Sequence, residues 1–120
     1  MKRPHTDLKL WQEAMRLAED VYALTNTFPK AETYGLISQT RRAGISVPSN
    51  IAEGAARGSK KEFIQFLMIA RGSLSELDTQ LELARRLGFI ARESSVHKQI
   101  DDVFGLLNGL LNSLKRSGTG

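Results

Sequence analysis

Cysteine is absent from the 120 residues, which excludes disulfides, thiolate nucleophiles and cysteine metal sites together. Histidine is nearly as scarce, with only His5 and His97. Ferritin-like bundles hold metals through Glu-x-x-His pairs on facing helices, but Lys2 and Ser94 stand three residues before the two imidazoles. That site is excluded, and no metal or cofactor is expected. Glu93 and His97 are four apart and read as a solvated pair rather than as ligands. The His-Glu-x-x-His, P-loop and Gly-x-Ser-x-Gly patterns are all missing. Long apolar runs are missing too. The stretch from Phe104 to Leu114 is interrupted by Gly105, Asn108, Gly109, Asn112 and Ser113, well short of the roughly 20 residues needed to cross a bilayer. Met1-Lys2-Arg3-Pro4-His5-Thr6-Asp7 carries neither an apolar h-region nor a small-residue cleavage site, so the cytoplasm is the expected compartment.

What remains is an ordinary globular composition, 41% hydrophobic and 25% charged, in a length that fits one domain over 1–120. The periodicity is helical throughout. Thr6 or Asp7 is positioned to cap a first helix over about 8–28. A second, over about 32–57, carries Pro48 inside its pattern, where a missing N–H and a bulky ring predict a kink or a short break. Ser46, Ser49 and Asn50 are placed to satisfy the freed backbone groups. The third, about 60–87, opens on Ser59-Lys60-Lys61-Glu62, a capping box, and closes at Gly88. Its residues Phe63, Leu67, Ala70, Leu74, Leu77, Leu81 and Ala84 repeat at heptad steps. The fourth, about 94–116, is capped by Ser94 or Ser95 and carries Val96, Ile100, Val103, Leu107, Leu110 and Leu114. Residues 117–120 form a loose tail. With three short connections, the expected architecture is all-α, an up-down-up-down antiparallel four-helix bundle with a proline kink in helix two.

The first helix has more apolar surface than such a bundle needs. One seam comprises Leu8, Trp11, Met15, Ala18, Tyr22 and Thr25, the other Leu10, Ala14, Leu17, Val21, Leu24 and Phe28. Their mean directions are roughly 110° apart, and together they exceed the stripe of about 100° that a surface helix buries. Phe104, Leu106 and Leu111 widen the arc of the fourth helix to about 160° in the same way. Self-association is therefore expected through Leu10, Leu17, Val21 and Leu24 with Phe104, Leu106 and Leu111. The alternative is a broad core contact with scattered exposed leucines, which are normal on monomers.

Charge totals +4, and antiparallel topology places the whole excess at one end of the bundle. Lys2, Arg3, Arg57, Lys60, Lys61, Lys115 and Arg116 gather there against Asp7, Glu53 and Glu62. Such a cluster suits sequence-independent contacts to nucleic-acid phosphates, or serves as a solvated, solubilising end. Aromatic residues make up only 7% of the chain and no base-reading motif occurs, so sequence-specific recognition is not expected. Glu53 is the one carboxylate in a small, apolar stretch. It reads as a structural partner of Arg41, Arg42 or Arg57, with a buried general base as the other possibility.

Several blocks of the chain resemble one bacterial family. They are Trp11 with Ala14, Val21-Tyr22, Phe28-Pro29 and Tyr34-Gly35-Leu36, then Arg41-Arg42-Ala43 and Ser46-Val47-Pro48-Ser49-Asn50-Ile51-Ala52-Glu53-Gly54. Glu62-Phe63, Phe66-Leu67, Ile69-Ala70-Arg71-Gly72-Ser73-Leu74, Glu76-Leu77 and Leu87-Gly88 extend the likeness. The sequence is thereby similar to the four-helix-bundle proteins encoded in intervening sequences of 23S ribosomal RNA genes. Relatives include the accessory variability protein of diversity-generating retroelements, a ring-forming basic bundle that works with a reverse transcriptase and nucleic acid. The resemblance implies a homopentamer without catalytic activity, in which Pro48 bends helix two without ending it and Arg41, Arg42, Asn50 and Glu53 belong to the structural motif. Two functions follow as expectations: RNA or DNA binding through the basic end, or an adaptor that presents a helical groove to a partner protein.

Overall fold

The computed structural model describes residues 3–91 and 94–117. Lys2, Glu93 and the tail from 118 onward, each named above, lie outside the described residues. Four helices make up the chain: α1 (Lys9–Thr25), α2 (Leu36–Ala56), α3 (Lys60–Arg86) and α4 (Ser95–Arg116), with a 3₁₀ turn at Lys30–Glu32 between the first two. Among the described residues there is no strand, and no helix is long and apolar enough to cross a membrane.

Each helix backbone lies against two neighbours, α1 against α2 and α4, and α3 against α2 and α4, while the diagonal pairs come together only through side chains of the core. Bonds between neighbours fix their directions. Thr25 on α1 meets Arg41 on α2, Ser46 meets Ser73 on α3, Arg71 meets Asn108 on α4, and Lys60 meets Ser117. Asp20 on α1 accepts from Gln99 at the start of α4. Numbers rise on one helix as they fall on the next, so consecutive helices are antiparallel. The molecule measures 49 × 27 × 20 Å, room for two helices by two at spacings of about 8–10 Å.

The ends of α3 follow the expected chemistry. Ser59 Oγ accepts from the Glu62 N–H at 3.2 Å. Gly88, at φ +82°, lets its own N–H reach the Arg85 carbonyl and that of Phe89 reach Ala84, the paired bonds of a Schellman turn. Ser94 caps α4 by accepting from the Val96 N–H. The start of α1 differs from expectation: Leu8 occupies the cap position without a side-chain bond, while the Thr6 hydroxyl donates back to the Arg3 carbonyl. Helix one also stops at Thr25 rather than near Phe28, because Pro29 disfavours helical backbone at the residue before it. Phe28 then folds inward with Leu36, Ala84 and Ile90 and closes that end of the core. Helix two continues through Pro48 and ends at Ala56, so no break occurs there.

The core decides between the two seams of α1. Leu10, Ala14, Leu17 and Val21 pack with Val47, Ile51, Leu67, Leu74, Leu81, Ile100 and Leu107. Gly44 of α2 lies opposite Val21, and an added Cβ would stand at an ordinary contact distance of 3.6 Å from Val21 Cγ1. The expectation that Leu10, Leu17 and Val21 form an interface between copies is therefore corrected: the chain's own helices bury them. Leu111 is corrected likewise. It and Leu110 flank the α4 seam at similar angles, and the helix turns Leu111 into the core. Leu24, Phe104 and Leu106 are half-buried against the same cluster.

Candidate functional site

With the second seam of α1 consumed by the core, Met15 and Tyr22 of the first are left exposed, while Leu8 and Trp11 are half-buried against the core and Thr25 is fully buried. Trp11, Met15, Ala18 and Tyr22 face Ile45, Pro48, Ser49 and Ala52 of α2 across a groove of about 590 Å³, with His5 at one end and Glu19 on its rim. The His5 ring meets Trp11 edge-on, with centroids 4.7 Å apart. Beyond Tyr22 and Ile45 the depression continues over Ile37, Ser38, Arg41, Arg42 and Tyr34, and Tyr34 is 96% exposed. The first depression is lined mainly by apolar side chains, whereas the second mixes them with Arg41, Arg42, Ser38 and Thr33. Sequence periodicity found both seams of α1 but placed the Leu10, Leu17 and Val21 seam outside, whereas it is the one the core buries.

Arg41 fixes the wall of this trough. Its Nε donates to Thr25 Oγ1 at 2.7 Å, its Nη2 to Asn26 Oδ1 and the Tyr22 carbonyl, and its guanidinium lies 4.5 Å from the Tyr22 ring centroid. One side chain thus satisfies acceptors at the end of α1 and orients an aromatic of the groove. Arg42, its neighbour, is exposed. Across the second helix interface, Asn50 Nδ2 donates to the Ser46 carbonyl at 2.8 Å and to its hydroxyl, and that hydroxyl bonds Ser73 at 2.8 Å. Gly54 sits at a close approach of α2 to α3, against Phe63 and Phe66 Cβ. Pro48, Asn50 and Gly54 therefore serve the α1–α2 and α2–α3 contacts.

Glu53 pairs with Arg57 at 2.8 Å, both side chains about half exposed. Arg57 also approaches Glu62 at 4.0 Å and covers the Phe66 ring. Of the two readings of Glu53, the structural ion pair with Arg57 is the one found, and Arg41 and Arg42 lie elsewhere. Among the described residues, no group of three or more His, Asp or Glu stands close enough to hold a metal ion.

The basic end is brought together as the topology requires. Lys60 Nζ donates to Ser117 Oγ at 2.9 Å, which joins the start of α3 to the end of α4, where Arg116 donates to the Asn112 carbonyl. Lys61, Lys115, Arg116 and Arg3 are exposed. The charge on Arg57 is largely engaged by Glu53 and Glu62, leaving Arg3, Lys60, Lys61, Lys115 and Arg116 as the other cations of this end among the described residues. Lys60 and Lys61 occupy the first turn of α3, where the helix dipole disfavours positive charge, and among the described residues only Lys60 has a bond across to α4's end in return.

Residues 6–109 match the family described as 23S rRNA-intervening sequence protein. The fold is also that of a Bacteroides thetaiotaomicron protein of unknown function from the S23 ribosomal protein family. The two share a TM-score of 0.80 and 24% identity over 86% of this chain and 95% of that one. No curated protein matches the chain.

Proposed function

The chain belongs to the 23S rRNA-intervening sequence protein family, and from that premise we propose that it is a non-catalytic, self-assembling cytoplasmic bundle, pentameric as the resemblance implies, that holds RNA or DNA by the phosphate backbone. The observation that carries the assembly is the trough in which Met15, Tyr22 and Ile45 are exposed beside half-buried Trp11 and Ala52, an apolar surface that a second copy would remove from water. A cyclic ring rotates its copies without inverting them. Every basic end would then lie on the same face, and weak contacts from Lys60, Lys61, Lys115 and Arg116 would add through avidity.

Fluorescence anisotropy with a random duplex tests the nucleic-acid part. With about three phosphates neutralised, affinity falls roughly 40-fold between about 50 and 200 mM salt. Lys60→Glu combined with Lys61→Glu removes binding and leaves the fold intact, since it places acids at a helix N-terminus. Affinity indifferent to salt, or retained in the double variant, overturns electrostatic binding. Light scattering on Met15→Glu tests the assembly: the substituted side chain is exposed on the single chain, so the variant folds but loses its higher mass, and an unchanged mass counts against the trough as the interface.

A further inference from the structure

The chain carries a second exposed apolar surface, and it has a different shape. The inner line of α3, including Leu67, Leu74 and Leu81, is fully buried, while Met68, Ile69, Leu83 and Leu87 on the opposite face are 40–54% exposed. Gly72 lies among them, and a Cβ added there would meet nothing within 4 Å. This is a ridge, and the trough between α1 and α2 is its complement. A trough and a ridge on different sides of one molecule pair head to tail and generate a ring or a filament, not a two-fold dimer. At 100° per residue the ridge points away from the bundle axis, leaning toward α2, roughly 120° around from the trough, which is the angle a closed ring of about five or six copies requires.

Register supplies an independent check. A ring whose axis runs along the bundle allows no shift between copies along the helices. The levels within one chain are set by Val21 against Gly44, Ser46 against Ser73 and Gly54 against Phe66. To within about one helical turn, these pairs put Met68 and Ile69 at the height of Met15 and Ser49. They also put Glu76 at the height of Arg42, and Leu83 and Leu87 at the heights of Ile37 and Tyr34. Met68 and Ile69 stand level with Met15, Leu83 with Ile37 and Leu87 with Tyr34, and Glu76, between Ile69 and Leu83 on α3, stands level with a base. We infer that α3 of one copy seats in the α1–α2 trough of the next, with Met68 and Ile69 against Met15 and Glu76 against Arg42. This rests on the self-assembly proposed above and names the surface that fills the trough.

The absence of cysteine makes the contact directly testable. Met15→Cys with Met68→Cys cannot cross-link within a chain, because no Cα of α1 lies within 8 Å of one on α3, farther than a disulfide spans. Under oxidation the double variant is expected to form a covalent ladder that ends at the closed ring. Met15→Cys with Leu87→Cys, about 28 Å out of register at 1.5 Å per residue, is expected to stay uncross-linked. Arg42→Glu weakens association by roughly 10- to 100-fold through like-charge contact, Glu76→Arg does the same, and the two together restore it. An assembly that forms normally but neither cross-links at 15 and 68 nor responds to the charge exchange overturns this contact while leaving self-assembly standing. A helical monomer in the unsubstituted chain overturns both.

Discussion

Gly54 lies at a close approach of α2 to α3, and a methyl group added there would stand 2.7 Å from Phe66 Cβ, 3.0 Å from Phe63 Cδ1 and 3.3 Å from the Phe63 carbonyl oxygen. The nearest of these atoms is anchored to the α3 backbone, so no rotamer change relieves the clash and the two helices must separate by about 1 Å to restore ordinary contact distance. Gly54→Ala gains about 1 kcal/mol of helix propensity and loses about 1–3 kcal/mol to overpacking. Because the obstacle is backbone-linked and the site is buried, the upper part of that range applies. A net loss of about 1–2 kcal/mol is expected, or a fall in Tm of roughly 3–10 °C. Gly44→Ala is the matched control, since its new Cβ meets Val21 Cγ1 at an ordinary 3.6 Å. That variant keeps the propensity gain of about 0.5–1 kcal/mol. Urea unfolding followed by circular dichroism reads both changes. A Gly54→Ala protein as stable as the parent would refute the close approach of α2 to α3.

Leu17→Ala empties a fully buried core position and should cost about 3–5 kcal/mol, whereas Met15→Ala, two residues away in the trough, should cost less than about 1 kcal/mol of monomer stability; equal losses in urea would mean that the seams of α1 are wrongly assigned. Arg41→Ala strands Thr25, Asn26 and the Tyr22 carbonyl and is expected to cost about 1–2 kcal/mol. Arg41→Lys should not recover this, because a single ammonium cannot replace the fork, and recovery in thermal unfolding would contradict the clamp. Glu82, bonded by Arg85 and then Arg86, has its carboxyl lowered from 4.5 to about 2. A depressed folded pKa contributes stability above the unfolded value that is lost as pH falls from about 4.5 through about 2. Glu82→Gln should therefore show a shallower loss of stability across that window than the parent, and identical acid profiles would count against the pairing.

The sequence made some of this legible because the information was local. The buried line of α3 repeats at heptad steps, and its ends are written in Ser59 and Gly88, where one side-chain oxygen and one positive φ suffice. The seam of α1 was misassigned because both candidate lines satisfy the same period, and the choice between them lies in packing against residues of the other three helices. Leu111 misled for a related reason, standing as close in angle to the core as Leu110 does. Arg41 was recognised as structural, but its partners lie 15 to 19 residues away at a spacing no periodic rule connects. The basic end needed only the antiparallel order of the helices. The trough needed the α1 seam to be settled first, and the ridge of α3 became visible only when exposed residues could be told from buried ones.

Sedimentation equilibrium of the intact chain at micromolar concentration, with emission of the single tryptophan, Trp11, recorded on the same samples, tests the assembly most directly. The trough-and-ridge contact predicts a mass about five times 13.3 kDa, and tryptophan emission that shifts to the red on dilution as the trough opens to water. A species of 13.3 kDa across that range, with Trp11 emission independent of concentration, would contradict it.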